Sequence, residues 1–109
     1  MKKFKVSFLL GKFLPPTRGH CFLIDTASNN SEKVYVLMCS LKREPIAGEL
    51  RYKWLSEIYK DSNVEIIWVQ DENPQYPEED PIHFWDIWMD TFNRHLPEKV
   101  DAVFSSEDY

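Results

Sequence analysis

Residues 3–20 read KFKVSFLLGKFLPPTRGH. Phe4, Val6 and Phe8 alternate with more polar neighbours, and the segment then closes on the apolar run Phe8-Leu9-Leu10. That pattern predicts a strand over Lys3–Leu10 that becomes buried on both faces. Gly11 to Arg18 follows, with Gly11, Pro15 and Pro16 as breakers, and predicts a loop. From Gly19 the spacing changes: Phe22, Leu23, Thr26 and Ala27 recur at helical intervals until Asn29-Asn30-Ser31. Strand, short loop and helix in this order open a β-α-β unit.

The remaining sequence continues the alternation. Val34–Cys39 (VYVLMC) predicts a second buried strand and Leu41–Gly48 a mixed loop. Leu50, Trp54, Leu55 and Ile58 predict an amphipathic helix over Glu49–Tyr59 with those four as its core face. Val64–Val69 (VEIIWV) reads as a third strand, and Gln70–Pro81 as a long, proline-rich acidic loop. Loops of that length in a small domain are often functional. Ile82–Leu96, with Phe84, Trp85, Trp88, Met89 and Phe92, predicts a helix with an aromatic face that Pro97 stops. Val100–Ser105 closes as a fourth strand. Strands alternating with helices imply an α/β, Rossmann-like parallel sheet with helices on both faces.

The chain has 109 residues, enough for one domain, here residues 1–109. Hydrophobic residues make up 43% of it and aromatic residues 15%, too much for a disordered segment. No apolar run approaches the roughly 18 residues needed to span a bilayer, and the basic start lacks a long apolar region with a cleavage site. The expectation is a cytoplasmic protein with no membrane partner. A net charge of −5 argues against a general nucleic-acid binder, which needs a basic face. An anionic small ligand held by a few local cations remains compatible. Cys21 and Cys39 have no metal-ligand spacing and are expected to be buried free thiols.

In open parallel sheets, ligands bind at the carboxyl ends of the strands near the point where strand order reverses. The first loop, Gly11 to His20, is therefore the first place to look. Gly11 would let the backbone leave the strand, and Gly19 would bring the helix start close to a ligand. Free N–H groups at a helix N-terminus, with the helix dipole, attract anions. His20 in the first turn adds a donor, while Thr17, Lys12 and Arg18 add hydroxyl and cationic groups. Singly, each reads as a cap or a solvated charge. The acidic run Asp71, Glu72, Glu78, Glu79 and Asp80 reads as a solvated loop, and no metal ligand is assigned.

Gly11, Phe13, Pro15, Gly19 and His20 stand at fixed spacing, with Thr17-Arg18-Gly19-His20 completing the set. This arrangement resembles the nucleotidyltransferase superfamily with its (H/T)xGH signature. Leu50-Arg51-Tyr52-Lys53-Trp54-Leu55 looks like the R-x-[RK]-W-L stretch of NadR-type nicotinamide mononucleotide adenylyltransferases. Phe84-Trp85-Asp86-Ile87-Trp88 looks like their W-D-x-W segment, and Phe104-Ser105-Ser106-Glu107 like their strand-four exit. The resemblance implies AMP transfer from ATP to nicotinamide mononucleotide, giving NAD and pyrophosphate. It implies Mg²⁺ held mainly by the ATP phosphates. By analogy, His20 and Thr17 are the catalytic pair, and Gly11, Lys12, Phe13, Arg18 and Gly19 join His20 around the phosphates. Trp85, Asp86 and Trp88 would form the nicotinamide side, where aromatic faces suit a flat cation. Arg51, Ser106 and Glu107 are further expected nucleotide contacts, Arg51 having an exposed salt bridge as its other reading. Trp54 reads as core.

The family also carries an I-S-[ST]-x-x-R element after the fourth strand, which this sequence lacks. The expectation is a C-terminally incomplete domain whose fourth strand is an exposed edge, with Val103 and Phe104 poorly covered. Such an edge favours pairing with another copy. A non-catalytic nucleotide-binding module, or a related enzyme using phosphopantetheine or a CTP-dependent acceptor, is the alternative.

Overall fold

The computed structural model describes residues 2–13 and 17–104. Four strands, β1 (Phe4–Gly11), β2 (Ser31–Cys39), β3 (Val64–Val69) and β4 (Ala102–Val103), alternate with three helices, α1 (Arg18–Asn30), α2 (Gly48–Ile58) and α3 (Phe84–His95). The sheet is parallel throughout, in the order β3-β2-β1-β4. β2 follows β1 with Phe4 opposite Ser31, and β3 follows β2 with Val34 opposite Val64. The path then reverses, and β4 lies on the far side of β1 with Ser7 opposite Ala102. Right-handed crossovers in opposite directions place helices on opposite faces. Accordingly α1 and α2 cover one side and α3 the other.

Side-chain alternation builds the two cores. Leu9, Val34, Val36, Met38, Val64 and Ile66 meet Ile24 and Ala27 of α1 and Leu55 and Tyr59 at α2. Val6, Phe8, Tyr35, Leu37, Cys39 and Val69 meet Trp88, Phe92 and Leu96. β2 is buried from Val34 to its end, as the continuous apolar run predicts. Among the described residues no helix is long and apolar enough to cross a membrane.

Several sequence expectations are corrected. The buried stripe of α2 is Arg51, Leu55 and, just past its end, Tyr59, while Leu50, Trp54 and Ile58 are exposed. The helix is turned by one residue from the apolar reading, because Arg51 finds internal partners. Phe22 faces solvent, and Ile24 with Ala27 forms the buried face of α1. Both thiols are free, but only Cys39 is buried and Cys21 is half-buried. β4 is two residues long. Asp101 starts it by accepting from the Lys5 and Val6 amides at 3.1 Å each. Val103 is exposed, but Phe104 packs edge-on against Phe4 with ring centroids 5.9 Å apart. Ser105, Ser106 and Glu107 lie outside the described residues.

Candidate active site

The reversal of strand order falls between β1 and β4, so the loop leaving β1 opens onto the crevice where such sheets bind ligands. Thr17 caps α1 in extended backbone. Its Oγ1 accepts from the His20 amide at 3.3 Å, and its own amide donates to His20 Nδ1 at 3.0 Å. This reciprocal pair is a capping box with histidine in place of the usual glutamate. An acceptor Nδ1 puts the neutral imidazole's proton on Nε2. Nε2–H is then the donor on the side of the ring away from the cap bond, in the same first turn as the Arg18 and Gly19 amides, which no intrahelical carbonyl satisfies. A Cβ built on Gly19 meets nothing nearer than Thr17 Oγ1 at 3.7 Å, so the first turn is open to an approaching anion.

Gly11 and Phe13 serve differently from the sequence expectation. No described glycine has a positive φ; Phe13 does, at 55°. Its ring is buried over Gly11, where an added Cβ would lie 2.9 Å from the ring. Gly11 is thus a space for the Phe13 ring rather than a flexible exit. The same ring stands edge-on to His20, with centroids 4.8 Å apart. Phe13 therefore backs the histidine, and its side chain is not at the surface as a phosphate contact.

Behind the loop lies a charged network. Arg51 is fully buried. Its Nη1 donates to the Lys12 carbonyl at 2.9 Å and to the Cys39 carbonyl at 3.4 Å, and its Nη2 to Glu44 at 2.9 Å. Glu44 also binds the Lys12 ammonium and the Leu41 amide. Burial works to raise the Glu44 carboxyl, but the bonds from Lys12, Leu41 and Arg51 outweigh it and hold it below the usual carboxylate range. The expected surface role of Arg51, as nucleotide contact or exposed salt bridge, is corrected to an internal one. Its Nε is the single buried side-chain polar atom without a partner among the described residues. Leaving such a donor unpaired costs about 1–3 kcal/mol. Arg18 is exposed, as a loop cation is expected to be.

Beside this network, Ser40, Ile46, Gly48, Trp68 and Glu72 line an open cleft of about 290 Å³ at the carboxyl ends of β2 and β3. Glu44, which pairs with the Lys12 ammonium of the first loop, lines it too. Trp68 Nε1 donates to Ser40 Oγ at 2.8 Å, and Gly48 leaves room for that pair.

On the other face, Trp85 is 68% exposed and Asp86 is exposed beside it. Trp88 is half-buried, and its Nε1 donates to the Pro74 carbonyl at 2.9 Å. Its ring edge is committed to the loop, and only ring surface is left for a ligand. Among the described residues no hydrogen bond or ring contact joins this trio to Thr17 or His20. Asp71 binds Arg94 at 2.6 Å and His95 at 3.2 Å, so the long loop is tied to the end of α3 rather than merely solvated. The Arg94 bond outweighs burial, and with His95 holds the Asp71 carboxyl below its ordinary value. Glu44 and Asp71 were missed in the sequence. Neither had a local signal, since the apolar spacing of α2 favours Leu50, Trp54 and Ile58 and hides the buried charge of Arg51.

A Thr-x-Gly-His capping box at the switch point of a Rossmann-like parallel sheet resembles the nucleotidyltransferase signature. In sequence the chain is NadR-like. It is 24% identical to the trifunctional NAD biosynthesis/regulator protein NadR of Escherichia coli, across 98% of this chain and 29% of that protein. It is also 24% identical to the Salmonella typhimurium NadR, across 94% of this chain and 28% of that one. A bifunctional NMN adenylyltransferase/ADP ribose pyrophosphatase of Francisella tularensis, crystallised with AMP and a manganese ion, shares the fold. It has a TM-score of 0.64 and 21% identity, over 92% of this chain and 31% of that one. The chain thus spans less than a third of the relatives it matches. No family model matches the sequence.

Proposed function

We propose that this chain carries the adenylyltransferase chemistry of a NadR-like protein, transferring AMP from ATP to nicotinamide mononucleotide. The observation that carries the reading is the Thr17–His20 capping box, which presents Nε2–H and two helix amides at the switch point. A phosphate oxygen of the mononucleotide forms a bond to the α-phosphorus of ATP, the bond to the β-phosphate breaks, and pyrophosphate leaves. The nucleophile is already an oxyanion, so no side-chain base is required. The protein's part is orientation and stabilisation of charge on the transferring group. His20 donates from Nε2 to a phosphoryl oxygen, the Arg18 and Gly19 amides hold a neighbouring oxygen, and Lys12 and Arg18 supply positive charge.

Among the described residues no group of three or more His, Cys, Asp or Glu stands together as a metal cage. The family resemblance implies a Mg²⁺ carried by the phosphate oxygens of ATP, which would keep most of its waters. The ion would supply charge neutralisation to the phosphates. Trp85, with Asp86, is the better stacking candidate for the pyridinium ring, since its indole is already exposed. Ser106 and Glu107, which lie outside the described residues, are proposed as further nucleotide contacts on the family resemblance alone.

The test is NAD formation from ATP, nicotinamide mononucleotide and Mg²⁺, with His20→Ala as control. Loss of one such donor lowers kcat by roughly 10²–10³-fold. NAD formation by the parent with an unaffected His20→Ala protein would remove His20 from the chemistry. Nucleotide binding without NAD formation would favour the non-catalytic module.

A further inference from the structure

We propose that Arg51 is a positioning residue. From α2 it holds the Lys12 carbonyl, and through the Lys12–Phe13 turn it sets the orientation of the His20 imidazole. Arg51 occupies a place in the buried stripe with Leu55 and Tyr59 that an apolar side chain would fill without desolvating a charge. A buried ion pair is weak support for stability against a well-packed apolar substitute. What a guanidinium supplies there, and a methionine does not, is a fork of donors. That fork reaches the Cys39 carbonyl at the end of β2 and the Lys12 carbonyl just past β1. It fastens the ends of two neighbouring strands at the side of the sheet where the site opens.

The Lys12 carbonyl belongs to the peptide that leads into Phe13, the residue at φ 55°. A non-glycine residue in that region persists only where its surroundings over-determine it. Here they do. Arg51 fixes the peptide before it, and the Gly11 gap receives its ring. The ring then sets one side of His20, and the Thr17 amide at Nδ1 sets the other. Glu44 closes the arrangement by holding both the Arg51 guanidinium and the Lys12 ammonium. The loop is thereby gripped through backbone and side chain together.

The test reads the His20 imidazole by nitrogen NMR in the intact chain without nucleotide, then measures binding of ATP with Mg²⁺. The parent is expected to show the Nε2–H tautomer. Arg51→Lys keeps a charge beside Glu44 but loses the fork. It is expected to keep its near-ultraviolet circular dichroism, to convert His20 to a mixture of tautomers and to raise the ATP dissociation constant at least fivefold. Gly11→Ala displaces the Phe13 ring without touching Arg51 and is expected to move the same His20 signals. A parent His20 already in mixed tautomers would overturn the proposal. So would a folded Arg51→Lys protein with unchanged His20 signals and ATP affinity. If Arg51→Lys does not fold, unchanged His20 signals in Gly11→Ala overturn it. The ATP arm rests on the functional reading, and the tautomer arm does not. A parent that binds no ATP therefore counts against the function alone.

Discussion

On one face of the sheet α2 encloses an arginine completely, while on the other α3 leaves a tryptophan 68% exposed. The first enclosure carries a desolvation cost, and the second leaves the burial of a large ring unused. Their difference lies in what surrounds each exception. Arg51 is closed in, with Lys12, Cys39 and Glu44 accepting from its two terminal nitrogens inside the chain while Nε is left without a partner. Trp85 is open, with Phe84 at 5.0 Å on one side and solvent over most of the ring. A closed exception braces something, and an open one is free to receive something.

The sharpest way to break this contrast is Arg51→Ala. Removing one partner of a buried pair costs about 3–5 kcal/mol, read as a lower urea midpoint. A loss below about 1 kcal/mol would mean that the pair does not brace the loop. Thr17→Ala probes the front of the same loop and is expected to cost about 1 kcal/mol, as other lost caps do, with adenylyl transfer falling as His20 loses its partner.

The α3 side offers a test by pH. The Asp71 carboxyl titrates below its ordinary 3.8 because Arg94 and His95 bind its charged form. Its stabilisation is therefore fully present above the unfolded value and is lost as pH falls through the lower folded one. Melting temperature should decline as pH falls below about 4, and Asp71→Asn should flatten that part of the curve. An identical decline in both proteins would show that Asp71 is not responsible. The smallest expected effect is that of Trp85→Ala on stability, within about 0.5 kcal/mol for a side chain this exposed. The same variant should raise the KM for nicotinamide mononucleotide several-fold. A clear drop in melting temperature with KM unchanged would make Trp85 a packing residue after all.

The sequence carried the order of the elements well, because strands such as VYVLMC declare burial through continuous apolar character. The (H/T)xGH loop was legible for a related reason: its chemistry is local, with Thr17 and His20 only three residues apart. The facing of α2 was not legible. Apolar periodicity favours Leu50, Trp54 and Ile58, and only tertiary partners 7 and 39 residues from Arg51 make its burial tolerable. Gly11 shows the same limit, since its reason is the Phe13 ring two residues on rather than its own backbone. Asp71 reads as one more loop acid until α3 brings Arg94 and His95 to it.

The unequal burial of the two thiols has a practical consequence. Burial beneath α3 pushes the Cys39 thiol up to about 12, which leaves almost no reactive thiolate at neutral pH. Cys21 is half-buried and follows His20 directly in the first helical turn. With two cysteines in the chain, a fluorescent alkylating dye should label Cys21 selectively, without any engineered residue. The protein thus carries its own reporter position one residue from the candidate phosphate donor, where the arrival of a nucleotide can be read as a change in emission.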